Sequence, residues 1–328
     1  MTQAEFELEW NAPEDYVVCH TSGSTGRPKE IRLKKDFMRA SARRTIDFFA
    51  LDEHSRLHTC LDFRYIASKM MTVRAEVAHC TLTSEPPSSD PLQDMAADER
   101  IDLVSVVPAQ MGSVLDAAER RSGIRNFLIG GSSIPPLLRR RIALSGYKAW
   151  ESYGMTETAS HIALRPVEES GREPFHTLPG ITVSLSAEGC LQIRLPGEED
   201  EIVTTDLAEV ISSTEFRLLG RADNCIISGG IKIIPEDLES MLGPFIGFDY
   251  CISSLPDEKW GERAVLVVAT GESLLPESFL RKAITVRLNQ FRKSLALGPK
   301  APKEIVLLKD FPFTSTGKLD RKRLKEMI

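Results

Sequence analysis

The first part of the chain carries apolar residues at the spacing of amphipathic helices. The segment KKDFMRASARRTIDFF predicts a helix with one buried face, because its less polar positions recur three and four residues apart. The residues assigned to that face are Phe37, Ser41, Thr45 and Phe48. A second helix is predicted within LDFRYIASKMMTVRAEVAHC (61–80), where Arg74 shares one face with apolar neighbours. Those neighbours are Met70, Val73 and Val77.

Short continuous apolar runs follow these helices. IDLVSVV (101–107) and IRNFLIGG (124–131) are rich in β-branched residues, which is typical of strands buried on both faces of a parallel sheet. The second run ends in Gly130 and Gly131, where the backbone can approach a ligand closely. PPLLRRRIALSG then predicts a helix that begins at a proline and ends at Gly146. This order predicts an open α/β sheet, whose ligands lie at the carboxyl ends of its strands.

The pattern changes after residue 180. ITVSLSAEGCLQIRL alternates apolar and polar residues around a turn, which predicts an antiparallel hairpin, and EVISSTEFRLLGR repeats that pattern. After Arg221, the segments PEDLESML, RAVLVVA, ESFLRKAITVRLNQFRKSL and KEIVLL predict helix, strand, helix and strand. We therefore predict an α/β protein with a boundary at 220–224. Residues 1–220 would hold a mixed, largely parallel sheet with helices and β-hairpins, and residues 221–328 a small mobile α+β domain.

Composition narrows the class of protein. The 328 residues are 42% hydrophobic and 27% charged, with a net charge of −6, which is typical of a soluble globular protein. The chain has no excess of basic residues that would indicate a nucleic-acid partner. No apolar stretch approaches the roughly 18 residues that a membrane span needs. The acidic N-terminus MTQAEFELEW does not look like a signal peptide, and the scattered cysteines predict reduced thiols. We expect a cytoplasmic protein.

The stretch HTSGSTGRPKE (20–30) has the composition of a phosphate-binding loop. Its glycines free the backbone so that N–H groups can point inward together, its hydroxyls are donors, and Lys29 adds a positive charge. The alternative is an ordinary polar turn, which needs only one glycine. Pro28 and the strand-like KEIRLK that follows exclude the nucleotide P-loop, which runs into a helix. The loop is therefore predicted to join two strands.

Six stretches in order resemble the adenylate-forming family of acyl-CoA synthetases, luciferases and peptide-synthetase adenylation domains. They are TSGSTGRPK, ESYGMTET (151–158), TTDLAEV (204–210), LLGRADNCIISGGIKIIPEDLE (218–239), LPDEKWGERAVLVV (255–268) and PFTSTGKLDR (312–321). The resemblance implies that ATP activates a carboxylic acid as acyl-AMP with release of pyrophosphate, and that the acyl group then passes to a thiol. It also implies ATP and coenzyme A as co-substrates and Mg²⁺ as a cofactor.

The resemblance assigns roles to residues of these stretches. The β- and γ-phosphates would be held by Thr21, Ser22, Gly23, Ser24, Thr25, Gly26 and Lys29. The adenine pocket would be lined by Gly130, Gly131, Ser132, Tyr153 and Gly154, with the tyrosine stacked on the base. Thr156 would reach the α-phosphate, Glu157 would hold Mg²⁺, and Asp206 and Arg221 would bind the ribose. The alternatives are a helix N-terminus at the Thr-Glu pair and a loop turn at Asp206.

Two further assignments concern the small domain. The resemblance implies that Lys318 bridges the carboxylate and the α-phosphate, whereas the plain alternative is a surface lysine. Asp223 would be the hinge about which the small domain rotates between the two half-reactions. That rotation would exchange the Lys318 loop for a second loop that lines the coenzyme A tunnel. The tunnel residues would be Ser228, Gly229 and Gly230.

The segment 61–80 bears on the acid that is activated. Family members carry an aromatic residue and a histidine where this chain has Arg64 and Tyr65, so Tyr65 is expected to fill the gate of the acyl pocket. Arg74 within an apolar stripe needs an anionic partner. That partner would be a carboxylate of the ligand, and Lys69 is a second candidate cation. The alternatives for Arg74 are a buried pair with Glu or Asp and a side chain that reaches to solvent.

The extension YGMTETASHIAL, with YIASKMM and PPSSDPL (86–92), resembles the o-succinylbenzoate–CoA ligases of menaquinone biosynthesis. Ser160 and His161 would then face the aromatic or keto end of the acid, or His161 would be an ordinary packed histidine. Other acyl- or aryl-CoA ligases, enzymes that load a carrier protein and an inactive nucleotide-binding module stay open. Only residues 1–19 precede the phosphate loop, where the family has a long segment. We expect a truncated AMP-binding domain that forms a homodimer.

Overall fold

The computed structural model describes residues 1–20, 29–93, 95–96, 99–117, 123–243, 247–294, 298–314 and 318–328. The helices of this part are α1 (Gln3–Asn11), α2 (Lys35–Phe49), α3 (Ile66–Ala78), α4 (Pro108–Asp116), α5 (Pro136–Leu144), α6 (Pro235–Leu242), α7 (Glu277–Ser294) and α8 (Arg321–Met327). None of these described helices has the length and hydropathy needed to cross a lipid bilayer.

The strands alternate with these helices in the first half and follow one another directly in the middle of the chain. The first nine are β1 (Tyr16–His20), β2 (Glu30–Lys34), β3 (Arg56–Thr59), β4 (Thr81–Ser84), β5 (Leu103–Val106), β6 (Phe127–Ile129), β7 (Ala149–Gly154), β8 (His161–Pro166) and β9 (Phe175–Thr177). The other nine are β10 (Thr182–Leu185), β11 (Cys190–Arg194), β12 (Ile202–Ser212), β13 (Glu215–Arg221), β14 (Ile226–Ser228), β15 (Ile231–Ile233), β16 (Asp249–Asp257), β17 (Gly261–Ala269) and β18 (Glu304–Leu308).

One mixed sheet contains most of the described strands. Its order is β10-β11-β12-β13-β9-β8-β7-β6-β5-β3-β4. The strands from β4 to β7 are parallel, and every pairing from β7 through β8 to β10 is antiparallel. The predicted α/β class, the parallel strands at 101–107 and 124–131, and both hairpins after residue 180 are confirmed.

The central strands are apolar on both faces because helices cover both sides of the sheet. All four residues of β5 and all three of β6 are buried. Leu103 and Leu128 pack into one core cluster, whereas Val104, Phe127 and Ile129 pack into another. Successive side chains of a strand point to opposite faces, so the two clusters lie on opposite sides of the sheet. This is why the sequence shows continuous apolar runs here.

Helix α2 forms where the sequence predicts it, but its buried face differs from the prediction. Ser41 and Thr45 are buried as expected, whereas Phe48 is 40% exposed and Phe37 is only partly buried. The positions that are buried are Lys35, Met38, Ser41, Ala42, Thr45 and Phe49. The helix packs against α3 and β2, and the face that it buries there is shifted by about one position from the predicted one. Phe49 is therefore buried in place of Phe48. The Phe48 ring instead meets the edge of Trp150, with 4.8 Å between ring centroids.

The N-terminal helix packs on α3 beside a two-stranded hairpin. Thr2 and Glu5 cap α1 reciprocally, each side chain accepting a hydrogen bond from the other's backbone N–H. Phe6 and Trp10 are buried in a cluster with residues of the hairpin and of α3. Strands β1 and β2 are antiparallel, and His20 pairs with Glu30. The predicted loop thus joins two strands, as expected, although its residues 21–28 lie outside the described residues.

A second, smaller sheet follows the last strand of the large one. Strand β13 ends at Arg221, a single 3₁₀ turn covers Ala222–Asn224, and β14 begins at Ile226. The described strands of this sheet have the order β15-β14-β17-β16, and β18 pairs in parallel with β17. Helices α6 and α7 cover its main core, and α8 packs on a separate cluster through Leu324. The domain division at 220–224 stays a prediction.

We predict that helix α7 stabilises the small sheet through its buried face. Leu288 is 3% exposed and Val286 on the same helix is 52% exposed. Leu288→Ala should lower the free energy of unfolding by about 2–5 kcal/mol, because it leaves a cavity in the core. The control Val286→Ala should change it by less than about 0.5 kcal/mol. Urea unfolding followed by circular dichroism measures both, and equal losses would contradict this account of the small core.

Candidate active site

The loops after two neighbouring parallel strands bring the predicted adenine residues to one edge of the large sheet. Strands β6 and β7 pair in parallel, so their carboxyl ends meet at the same edge. Gly130, Gly131 and Ser132 follow β6, and Tyr153 and Gly154 end β7. A Cβ atom on Gly130 would lie 2.6 Å from Ser152 Oγ, and Gly131 has a positive φ of 88°. Glycine is therefore required at this strand end.

Tyr153 is held by the carboxylate predicted to bind the ribose. Its hydroxyl donates a hydrogen bond of 2.6 Å to Asp206 Oδ2, and Arg221 Nη1 lies 3.6 Å from Asp206 Oδ1. Asp206 and Arg221 face each other in the register of β12 and β13. Burial, and then the charge of Asp206, raise the pKa of Tyr153, so the phenol stays protonated. The structure thus brings together three residues that the sequence places in different motifs.

Lys318 lies close to the same pair from the small sheet. The pKa of Lys318 is lowered by desolvation first and by the positive charge of Arg221 second, while Asp206 acts in the opposite direction. Its loop is held by hydrogen bonds between Lys318 and Thr314, from Thr314 N to Lys318 O at 2.8 Å and from Lys318 N to Thr314 Oγ1 at 3.1 Å. The side chain keeps contact with solvent. The charges of Asp206 and Arg221 therefore both act on this ammonium.

The Thr-Glu pair follows β7 in a single 3₁₀ turn over Thr156–Thr158, and Ala159 leaves that turn with a positive φ of 58°. Glu157 is partly buried, so its carboxylate can face a bound ligand. The described residues contain no cluster of three metal-binding side chains. One carboxylate fits Mg²⁺ that is held mainly by phosphate oxygens and water. Lys29 is exposed at the start of β2, and the other predicted phosphate-binding residues, Thr21 to Gly26, lie outside the described residues.

A buried polar cluster lies behind this turn. Arg74 Nη2 donates to Ser160 Oγ at 2.6 Å and lies 3.4 Å from His161 Nδ1. His161 Nε2 lies 3.1 Å from Thr45 Oγ1. Because an arginine only donates, Nδ1 is the acceptor and Nε2 carries the proton that Thr45 accepts. Thr45 is a partner that sequence reasoning missed, although the spacing in α2 had placed it on the buried face.

Arg74 has no carboxylate partner among the described residues. It is 1% exposed, its Nε atom has no hydrogen-bond partner, and its other contact is Met71 Sδ. Burial alone lowers its pKa to about 9. Neither alternative for Arg74, a buried ion pair or a side chain that reaches solvent, is found in the described chain. The guanidinium is an uncompensated buried charge, which is costly unless an anion joins it.

The other candidate cation is already paired. Lys69 Nζ lies 3.1 Å from Glu9 Oε2 and 3.0 Å from the carbonyl oxygen of Val18, and it stands over the Phe6 ring. This lysine therefore fastens the N-terminal helix to α3, and it is not part of the Arg74 cluster. Tyr65 precedes α3 and is 40% exposed. Of the two cations, Arg74 alone keeps the capacity to bind a further anion.

The predicted coenzyme A loop is the turn between β14 and β15. Gly229 and Gly230 have positive φ values of 57° and 80°. A Cβ atom on Gly229 would come within 2.9 Å of the Trp260 ring, so only glycine allows this approach. Ser228 is buried. Asp223 lies in the turn before β14 and accepts a hydrogen bond of 2.9 Å from Arg221.

Comparisons with known proteins find similar sequences and structures. A family model described as AMP-binding enzyme matches residues 2–202. The structure of an acyl-CoA synthetase (AMP-forming)/AMP-acid ligase II-like protein from Dyadobacter fermentans is 32% identical, with 98% of this chain and 92% of that one covered and a TM-score of 0.61. The o-succinylbenzoate CoA synthetase of Bacillus subtilis shares the fold, at 22% identity and a TM-score of 0.76 over 94% and 68% of the two chains.

Two relatives by sequence carry ligase names. Indoleacetate–CoA ligase of Aromatoleum aromaticum is 27% identical over 95% of this chain and 67% of its own length. The 2-succinylbenzoate–CoA ligase of a Geobacillus strain is 24% identical over 99% of this chain and 71% of its own length. The chain thus spans about two thirds of the length of these relatives.

We predict that His161 makes stability fall with acidity. Burial, and then Arg74, lower its pKa well below the ordinary value, so the folded protein holds a neutral imidazole. Below about pH 6.5 the unfolded chain binds a proton that the folded chain does not, which costs up to about 1.4 kcal/mol per pH unit. The stability advantage of the wild type over His161→Gln should therefore shrink as the pH falls from 7 to 5.

Urea unfolding at several pH values measures this difference. His54→Gln is the control, because the His54 side chain is 85% exposed and lies outside the buried cluster of Arg74 and His161. Parallel profiles for the wild type and His161→Gln would show that His161 titrates normally.

Proposed function

The chain belongs to the AMP-binding enzyme family and is an acid–CoA ligase, and we propose that its acid is o-succinylbenzoate. The observation that carries this choice of acid is the buried guanidinium of Arg74, which lacks a carboxylate partner in the described chain. A dicarboxylic acid can present one carboxylate for activation and a second one to this cation. The relatives named 2-succinylbenzoate–CoA ligases support the same choice.

The groups around Arg74 suit a carboxylate. Ser160 supplies a hydroxyl at 2.6 Å from Arg74 Nη2, and the free Nε–H is a second donor of the same fork. Neutral His161 adds no charge of its own that would compete for the anion. A ligand carboxylate in this position would convert an uncompensated charge into a hydrogen-bonded ion pair. Ser160 and His161 would then lie beside the acid, as the sequence predicts.

The reaction we propose has two steps. A carboxylate oxygen of the acid attacks the α-phosphorus of ATP, a new P–O bond forms, and pyrophosphate leaves with the electrons of the broken bond. The thiol sulfur of coenzyme A then attacks the acyl carbon, and AMP leaves. Both steps bring anions together, so donors and cations must offset the repulsion. Mg²⁺, held by Glu157 and the phosphates, would neutralise part of the phosphate charge.

This chain's own residues supply the remaining groups. Asp206 would accept the ribose hydroxyls, and Thr156 and Lys318 would donate to the α-phosphate. The glycines of the 228–230 turn would leave room for the pantetheine arm during the second step. Asp223 would act as the hinge between the two steps. The charges of Asp206 and Arg221 both act on Lys318, which supports a role for this lysine in the first step.

Experiments can also distinguish this function from three alternatives. A different aryl or acyl acid, or a carrier protein in place of coenzyme A, would use the same residues of the nucleotide site. An inactive nucleotide-binding module would not need Lys318, Glu157 and Asp206 together. A cytoplasmic location, a role in menaquinone biosynthesis and a homodimer stay predictions.

An exchange assay between ATP and labelled pyrophosphate tests the choice of acid. We expect o-succinylbenzoate to support faster exchange than benzoate or a fatty acid, and we expect AMP release once coenzyme A is added. Arg74→Met should lower kcat/KM for o-succinylbenzoate about 100-fold, because a charged pair worth about 3 kcal/mol is lost. Benzoate should be affected by less than about threefold, since it has no second carboxylate. Equal losses of kcat/KM for both acids would show that Arg74 does not recognise the second carboxylate and contributes only to packing.

We predict that Lys318 acts only in the first step. Lys318→Ala should slow adenylation roughly 100-fold, because it removes a cation from the reacting anions, while thioester formation from supplied acyl adenylate persists. The matched control is Lys309→Ala, whose ammonium pairs with Glu272 on the surface at 3.3 Å. Stopped-flow or quenched-flow assays separate the two steps. A similar loss in both would contradict this role for Lys318.

A further inference from the structure

Glu236 connects three segments that meet beside the nucleotide edge. It lies in the first turn of α6, and its carboxylate is mostly shielded from solvent. One oxygen, Oε1, accepts a hydrogen bond of 2.5 Å from Asn224 Nδ2 and lies 3.3 Å from Arg321 Nε. Asn224 belongs to the turn between the two sheets, and Arg321 begins α8 just after the Lys318 loop. No motif of the sequence analysis gives this glutamate a role.

The second carboxylate oxygen faces the large sheet. Glu236 Oε2 is buried and has no hydrogen-bond partner. This oxygen lies against Gly220, the penultimate residue of β13. A Cβ atom added to Gly220 would collide with the Glu236 carboxylate and would lie 2.6 Å from Ile234. The close approach of α6 to β13 thus depends on a glycine at this position. An unpartnered carboxylate oxygen is unfavourable, so this contact limits how firmly α6 is held against β13.

Arg321 carries the contact on to the Lys318 loop. Its guanidinium donates two hydrogen bonds to Glu239, at 2.8 and 2.7 Å, and a third to the carbonyl oxygen of Ile252 at 2.9 Å. The residue before it, Asp320, donates its backbone N–H to Pro312 O at 2.9 Å and so closes the base of the loop that holds Lys318. These bonds fix the base of the loop relative to α6. Glu236 adds to this anchor through its own contact with Arg321 Nε at 3.3 Å.

We propose that Glu236 is a positioning residue for the adenylation step, on the premise that the proposed ligase activity is correct. Through Asn224 and Arg321 it connects the turn between the sheets to the base of the loop that carries Lys318. It does not touch the reacting atoms. Without Glu236, the Lys318 ammonium would be poorly aligned with the reacting groups. This misalignment would slow adenylation, the step that uses Lys318.

The test measures the two half-reactions separately in Glu236→Ala. Adenylation should slow about tenfold, the effect expected from one hydrogen bond to a charged group. Thioester formation from supplied acyl adenylate should change by less than about twofold, because that step does not use Lys318. Glu236→Gln keeps an acceptor for Asn224 and should restore most of the adenylation rate. Asn224→Ala should reproduce the loss, and the double variant Glu236→Ala/Asn224→Ala should lose no more than either single variant.

A matched control separates positioning from stability. Glu304 also forms an ion pair on the small sheet, with Arg263 at 3.0 Å, but this pair joins β17 to β18 and does not involve Asn224 or Arg321. Glu304→Ala should leave both half-reactions unchanged. Equal losses in both half-reactions of Glu236→Ala, or no rescue by Glu236→Gln, would overturn the proposal. If the wild type showed no acid-dependent exchange between ATP and pyrophosphate, the proposed ligase function would fail, whereas an effect of Lys318→Ala without one of Glu236→Ala would reject the positioning role alone.

Discussion

The hydrogen bond between Tyr153 and Asp206 constrains the shape of the large sheet. Tyr153 is on β7 and Asp206 on β12, and three strands, β8, β9 and β13, lie between them in the sheet. In a flat sheet, four strand spacings of about 4.8 Å would separate the two backbones by about 19 Å. A direct bond therefore requires the antiparallel half to curl back towards β7. The rings of Tyr153, Phe175 and Phe216, whose centroids lie 5.4–6.0 Å apart, fill the inside of that curl.

This curl explains why the nucleotide edge has residues from two kinds of sheet. The parallel half supplies the glycine turn after β6 and the end of β7, as open α/β sheets do. The antiparallel half supplies Asp206 and Arg221, which would otherwise lie far away. Lys318 follows the small sheet, and the charges of the same pair act on it. Each half alone would offer only part of a site for a nucleotide.

The charges of the site share one feature. Lys318 and Arg74 both have lowered pKa values because burial disfavours their charged forms, and the described carboxylates do not cancel that effect. Such positive groups are stabilised when anions bind, because the anion replaces the missing solvent. The protein therefore holds its cations in a state that phosphate and carboxylate groups complete. The proposed substrates carry these groups.

The sequence predicted local elements well because their signals are local. The buried runs of β5 and β6 and the hairpins after residue 180 follow from periodicity alone. The face of α2 could not be predicted fully, because Phe48 finds its partner in Trp150, which is distant in sequence. The roles of Lys69 and Arg74 could not be told apart either. Both are cations on α3, and only the fold shows that Glu9 lies beside the first and no described carboxylate beside the second.

The Asp206–Tyr153 contact is equally invisible in the sequence, since strand order decides it. The motifs did identify both residues as members of one site through their resemblance to a known family. The loop that composition predicts to bind phosphate has strands on either side that pair as predicted, and its phosphate binding stays a prediction. The sequence did not predict the residues that contact the site residues, such as Thr45 and Glu236. Packing selects these residues from many polar residues of similar type.

The two ends of the large sheet also limit how copies of this protein can associate. Strands β4 and β10 form its edges and are only four residues long, and Pro86 and Pro87 follow β4 closely. Short edges beside prolines offer few free backbone groups for a neighbouring strand. Growth of the sheet from one molecule into the next is therefore disfavoured. Short edges of this kind therefore limit fibre-like aggregation through the large sheet.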